Sequence, residues 1–150
     1  MADVQTVIRR QINASAATVF DAVAHIENFS EAVPGITGVE FLTDRTRGAR
    51  TRFRETRVIR GREASTELEV TEYEPDSHVR LVSDQGGTVW DTVFTITPDG
   101  SGSHLSMVMD ARPHTLMAKV TTPLFKRVIA RAIESDMDAV KQYCEAGAGS

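Results

Sequence analysis

Cysteine occurs once in this chain, at Cys144, so no internal disulfide can form and no second thiol stands at metal-ligand spacing. No run of about 18 apolar residues is present, which argues against a membrane-spanning helix. No basic-then-apolar leader follows Met1, and the cytoplasm is the expected location. Nucleophile motifs, metal-ligand clusters and glycine-rich phosphate loops are missing as well, and Gln85-Gly86-Gly87-Thr88 reads more simply as a hairpin turn. No metal and no covalent cofactor is expected. A net charge of −4 argues against whole-molecule attraction to nucleic acid. Histidine, the usual acid–base residue near neutral pH, is sparse and poorly placed for catalysis. His25 falls off the first helical stripe, His78 lies at a turn, and His104 has outward strand parity. Only His114 could reach a cavity mouth, and solvated surface is the expectation for all four.

What is present fits one domain. At 150 residues, 41% hydrophobic and 25% charged, the chain can bury a substantial core, and 1–150 reads as a single unit with 146–150 as a flexible tail. The longest periodic signal runs from Thr122 to Cys144. Phe125, Ile129, Ala132, Ile133, Met137, Val140 and Cys144 recur at three- and four-residue spacing, opposite Lys126, Arg127, Arg131, Glu134, Asp138, Lys141 and Glu145. This predicts one long amphipathic helix, with Thr122 as N-cap, Pro123 in its first turn and Gly147 just past its end. Cys144 lies on the apolar stripe, so buried packing is preferred to a reactive thiol.

Upstream, Val4 to Ile12 reads as a strand with Thr6, Ile8, Arg10 and Ile12 on one face. Asn13 and Ser15 offer caps for a short helix lined by Ala16, Val19, Phe20, Val23 and Ile26, and Asn28 to Val33 adds a helical turn stopped by Pro34-Gly35. From Ile36 to Ala111 the period changes to two. Six strand-like runs are separated by Arg47-Gly48, Arg60-Gly61, Pro75-Asp76, Gln85-Gly86-Gly87 and Pro98-Asp99-Gly100, which predicts an antiparallel meander.

The hairpin about Arg60-Gly61 has a testable register. Ile59 opposite Arg62 pairs Phe53 with Leu68 and Thr51 with Val70 on one face, and Arg54 with Glu67 and Arg52 with Glu69 on the other. Extending the inward face gives Val39, Phe41 and Thr43; Val79, Leu81 and Ser83; Trp90, Thr92, Phe94 and Ile96; then Leu105, Met107, Met109 and Ala111.

A strand, two short helices, a meander and a long terminal helix predict an α+β architecture in which a curved seven-stranded antiparallel sheet wraps that helix. The chain resembles the SRPBCC superfamily, also called START-like or helix-grip proteins, and most of all its polyketide cyclase/dehydrase-like branch. The residues carrying the resemblance are Ile12-Asn13-Ala14-Ser15 before Val19-Phe20-Asp21-Ala22-Val23, and Phe29 to Ile36. With them go Gly48 to Phe53, Val70 to Pro75, and Thr122-Pro123-Leu124-Phe125. The resemblance implies a deep cavity between sheet and helix that holds a hydrophobic small molecule, and some branches catalyse cyclisation or dehydration where others only bind or carry.

On that reading the ligand-binding candidates are Phe41, Phe53, Leu68, Leu81, Trp90, Thr92, Phe94, Met107 and Met109, with Leu116 and Val120 from a short helical lead-in at Arg112 to Thr121 folded over one end. The alternative is a filled core. Arg10, Glu55 and Arg57 also share the inward face, and buried charges must pair, meet a polar ligand group, or sit at a wet mouth. They are read as a structural cluster, as an anchor for a ligand carbonyl, phenol or carboxylate, or, for Glu55, as a general base. Arg45, Arg47, Arg50, Arg52, Arg54, Arg57, Arg60 and Arg62 crowd 18 residues, and a salt-bridged outer sheet face is preferred to an anion-binding role. Three functions remain open: binding a hydrophobic polyketide-like, aromatic or lipid-like molecule; a polyketide aromatase/cyclase; and a quinone- or lipid-binding chaperone working with membranes. Membrane contact is the less favoured partner reading, and the oligomeric state is not readable.

Overall fold

The computed structural model describes residues 4–59 and 61–148. Strand β1 (Val4–Ile12) leads into helices α1 (Ala16–Ala24) and α2 (Ile26–Ala32). The strands β2 (Ile36–Phe41), β3 (Arg52–Ile59), β4 (Arg62–Glu74), β5 (His78–Gln85), β6 (Thr88–Asp99) and β7 (Gly102–Pro113) follow. Helices α3 (Leu116–Leu124) and α4 (Lys126–Ala148) complete the chain. The sheet order is β1-β7-β6-β5-β4-β3-β2 and all pairings are antiparallel, so the meander closes by laying β1 against β7. The predicted α+β helix-grip architecture is the observed one.

Hairpin β3–β4 has the register that its two faces require: Phe53 opposite Leu68, Arg54 opposite Glu67, Arg52 opposite Glu69 and Ile59 opposite Arg62. On the outer face Arg54 bonds both Glu40 and Glu67, and Arg52 lies within 3.7 Å of Glu67 and 3.9 Å of Glu69. Arg47 pairs with Glu27, which commits a third arginine of the cluster to a structural contact. Arg60 lies outside the described residues.

One strand departs from simple alternation. The β4–β5 register shifts between Val70 and Glu72, so Val70 faces Leu81 while Tyr73 faces Val79. That bulge turns Tyr73 inward, and strict period two cannot anticipate it.

Helix α1 is capped by Ser15, whose Oγ accepts from Thr18 N at 3.2 Å. Ile26, predicted as the end of this helix, instead opens α2 after a break at His25. Val19, Phe20, Val23 and Ile26 bury against the sheet, beside Ile12, Phe53, Leu105 and Met137.

The expected lead-in and long helix are both present as α3 and α4, but their boundary lies at Phe125, beyond the predicted Thr122 cap. Pro123 lies in the last turn of α3 rather than the first turn of α4, and Phe125 leaves the helical track at φ −96°, ψ 10°. Pro123 costs α3 one backbone bond in its last turn without interrupting it, and the helix ends two residues later at Phe125. Phe125 N donates to the carbonyls of Thr121 and Thr122, and Ile129 N restarts the ladder on Phe125 O at 2.9 Å. Thr122 is no N-cap; its hydroxyl sits 3.0 Å from that of Thr88 in a buried contact. At the other end α4 runs through residues 146–148, placing Gly147 inside the helix where a tail was expected, and 149–150 lie outside the described residues. Met137, Val140 and Cys144 are buried along its stripe. Burial, with Glu145 beside it, pushes the Cys144 thiol up to about 11, so it packs as a protonated apolar group.

The lead-in helix α3 is capped by Thr115, whose Oγ1 accepts from Ala118 N at 3.1 Å. It is set against the turn between β5 and β6. Gly87 there has φ +84°, and a Cβ would lie 2.5 Å from Thr115 Oγ1, so both the conformation and the close approach require glycine.

Candidate functional site

A cavity of about 400 Å³ lies between the concave sheet face and α4. Its inner end is apolar: Val23 and Ala24 of α1, Ile26 and Phe29 of α2, and Phe94 of β6, with the rings of Phe29 and Phe94 6.2 Å apart. Phe53, Leu68, Leu81, Trp90, Met107 and Met109 form the sheet wall, and Ile129, Ala132 and Ile133 of α4 face them.

The opposite end is polar and open. Glu55 faces Thr66 across the β3–β4 hairpin, and Gln85 Nε2 donates to Ser65 O at 3.3 Å, which brings the end of β5 alongside. Gln85 and Ala132 are exposed, and Thr66, Arg57 and Trp90 are half-buried, whereas Val23, Ala24, Ile26 and Phe94 are buried. The mouth therefore lies between the two hairpin ends and the start of α4.

Three charged side chains meet there. Arg57 Nε donates to Glu55 Oε1 at 2.5 Å, and Arg57 Nη1 reaches Asp136 Oδ2 at 3.0 Å. Glu55 is only 8% exposed. Burial pulls the Arg57 guanidinium down, but the charges of Glu55 and Asp136 and the hydrogen bonds to both outweigh it, leaving its pKa above the usual value. Burial raises the Asp136 carboxyl above the ordinary carboxylate range; Arg57 opposes this and Glu55 adds to it. With both acids ionised the trio carries two negative charges against one positive. It favours a donor over an anion.

Two further polar groups line the wall. Ser83 is 4% exposed, and its hydroxyl has no hydrogen-bond partner among the described residues. Thr92 stands on the next strand, opposite Leu81. The indole N–H of Trp90 is already used, donating to Gln85 O at 3.4 Å, so that ring offers chiefly its face.

Of the residues singled out in the sequence, Phe53, Leu68, Leu81, Trp90, Thr92, Phe94, Met107 and Met109 line the cavity together with Glu55 and Arg57. Three ligand candidates do not. Phe41 packs on the core from the edge strand β2, outside the cavity wall. Leu116 and Val120 are 83% and 65% exposed, because α3 turns its small residues Ala118 and Thr122 inward and its large ones to solvent. Arg10 is also elsewhere: its Nε binds Asp138 Oδ1 at 2.7 Å on the far part of α4, so the expected Arg10–Glu55–Arg57 cluster is instead Glu55–Arg57–Asp136.

The third member of the trio, Asp136, is not singled out by strand alternation or histidine placement. Its signal was present, since it stands three residues after Ile133 and seven after Ile129 on the apolar stripe. An acid on that stripe needs a partner inside. His25, expected on the solvated surface, is buried at 4% exposure, with Nε2 2.8 Å from the Tyr73 hydroxyl. Burial first, and Arg47 second, lower its pKa, against Asp21 and Glu27. His114 is exposed beside Asp84, and His78 pairs with Glu72.

Among the described residues no helix is long and apolar enough to cross a membrane, and no group of histidine, cysteine or acidic side chains could hold a metal ion.

A comparison with curated protein sequences gives no match. Solved structures match in fold. TTHA0849 of Thermus thermophilus is 18% identical with a TM-score of 0.78, covering 96% of this chain and 99% of that one. A START superfamily protein of Mycobacterium smegmatis is 19% identical with a TM-score of 0.75, covering 96% and 97%. The di-domain ARO/CYC StfQ of the steffimycin biosynthetic pathway is 13% identical with a TM-score of 0.80, covering 99% of this chain and 53% of that one. The family model described as "Polyketide cyclase / dehydrase and lipid transport" matches residues 1–145, and the chain belongs to that family.

Proposed function

We propose that this protein binds a hydrophobic, ring-containing or polyketide-like small molecule in the cavity between sheet and α4. The observation that carries the reading is the polarity gradient of the cavity. An apolar body fits against Phe29, Phe94, Met107 and Met109, and an oxygenated end reaches Arg57, Glu55 and Asp136 at the mouth. The volume of about 400 Å³ lies within the range of small-molecule sites, about 300–1,000 Å³. Because carboxylates outnumber the guanidinium, a neutral hydroxyl or phenol suits the mouth better than a carboxylate. Ser83 supplies a second polar contact on the wall, since a buried hydroxyl without a partner costs about 1–3 kcal/mol that a ligand oxygen recovers.

The test is native mass spectrometry of the purified chain, extraction of any bound compound, and titration with quinones, fatty acids and aromatic polyketides. Uptake of a neutral oxygenated ring compound in preference to a fatty acid is expected. A clean apo mass with no uptake overturns the reading and returns the cavity to packing defect.

A second reading, cyclisation of a polyketide chain, draws on Asp136. Burial raises its pKa, and it stands beside the Glu55–Arg57 pair at the cavity mouth, within reach of a bound chain. The similarity to StfQ, an ARO/CYC, lends it support. Conversion of a bound polyketide that is lost in Asp136→Asn, with uptake intact, would favour this reading.

A further inference from the structure

Helix α3 is built inside out. Leu116, Met117, Val120 and Leu124 are exposed, and Phe125 and Val128 continue the strip across the elbow into α4. Six large apolar side chains on one corner exceed the scattered single hydrophobics of an ordinary surface.

Along the sequence the charge of this stretch is of one sign, although Asp84 stands beside His114 at the start of α3 and Glu55 and Asp136 lie at the adjoining mouth. Between Asp110 and Glu134 the sequence contains no acidic residue, in a chain whose net charge is −4. Lys119, Lys126, Arg127 and Arg131 are exposed in this interval, and none makes an ion pair among the described residues. Arg112, in the same interval, pairs with Asp91.

The elbow also adjoins the cavity mouth. Phe125 stands one turn before Ile129, which lines the cavity, and Thr122 touches Thr88 beside the β5–β6 turn that carries Gln85. A second copy of this chain fits poorly, because an isologous contact would set the four cations against themselves.

We propose that the α3–α4 elbow docks on an anionic lipid bilayer, with Leu116, Leu124 and their neighbours entering the headgroup boundary and the four cations meeting lipid phosphates. Docking in this orientation presents the mouth to the membrane. It adds a surface to the binding reading and rests on that reading only for the nature of the cargo.

The experiment is vesicle flotation of the full chain with phosphatidylcholine alone and with phosphatidylcholine mixed with phosphatidylglycerol, at low and high salt. The protein is expected to float with the mixed vesicles, to float less at high salt, and to bind neutral vesicles weakly. Lys126→Gln should weaken binding about five-fold, the effect of one basic residue near an anionic surface. Leu124→Ser should weaken it about ten-fold by removing inserted apolar area. Both positions are exposed, so circular dichroism should be unchanged. Absence of flotation with either vesicle overturns the proposal, as does equal, salt-independent binding to both. A dimer in sedimentation that Leu124→Ser dissociates, without vesicle binding, also overturns it and assigns the face to self-association. Ligand uptake measured in the same samples separates failure of docking from failure of the binding function.

Discussion

Arg57 on β3 spans the cavity mouth to reach Asp136 on α4, Nη1 to Oδ2 at 3.0 Å, across 79 residues of sequence. The contact ties the sheet to the helix it grips and places a guanidinium between two carboxylates. Removing it leaves Glu55 and Asp136 facing each other without a cation. Arg57→Ala should lower stability by about 3 kcal/mol, the low end for breaking a buried pair, because the Arg57 side chain keeps 27% of its exposure. Asp136→Asn in the Arg57→Ala background should cost less than in the native protein, a coupling of about 1–2 kcal/mol. Urea unfolding of the four proteins in the cycle measures it, and strict additivity would show that the pair is only adventitious.

Asp136 also carries a pH signature. Its folded pKa is raised above 3.8, so between those two values the folded state holds the proton that the unfolded state has lost. Its contribution to stability therefore falls as pH rises through that window. The difference in unfolding free energy between native protein and Asp136→Asn should move against the native protein from about pH 4 upward and then level off. A flat difference would contradict the raised carboxyl.

His25 works in the opposite direction. Its folded pKa is lowered below 6.5, chiefly by burial, so the unfolded state binds a proton that the folded state refuses. The stability it confers is complete above pH 6.5 and is lost as pH falls below that value. His25→Gln should remove this acid-side loss while weakening the contact with Tyr73, and thermal melts from pH 7.5 to 5 would reveal it. An unchanged slope would place the titration elsewhere.

Ser83 separates stability from binding. Its hydroxyl is buried without a partner, so Ser83→Ala should leave apo stability unchanged or raise it by up to about 1 kcal/mol. Affinity for an oxygenated ligand should fall several-fold in calorimetric titration, with affinity for a pure hydrocarbon unchanged. Loss of both would mean that the side chain shapes the wall rather than recognising an oxygen.

How much of this was legible depended on whether a residue's partners could be found by period and pairing. The β3–β4 hairpin was readable because apolar and charged faces both had to match, and only one register satisfies Phe53–Leu68 and Arg54–Glu67 together. Glu55 and Arg57 followed from the same alternation. Asp136 did not, because its partner stands on a strand 79 residues away, and helical spacing reports a face without naming what lies opposite. Phe41 shares the parity of Phe53 but sits one strand further toward the edge, beyond the cavity.

Period, turn chemistry and cross-strand pairing are local quantities, so the elements, their antiparallel order and the inward face of each strand could be read from the chain alone. Three matters waited on how those elements pack. The bulge after Val70 moved Tyr73 inward and gave His25 its buried partner. The lead-in helix α3 runs on to Leu124 and turns Ala118 and Thr122 inward, leaving Leu116 and Val120 in solvent where they were expected over the cavity. Which cation faced which acid was settled by how the sheet curves around α4, a distance between elements that hydrophobic periodicity does not encode.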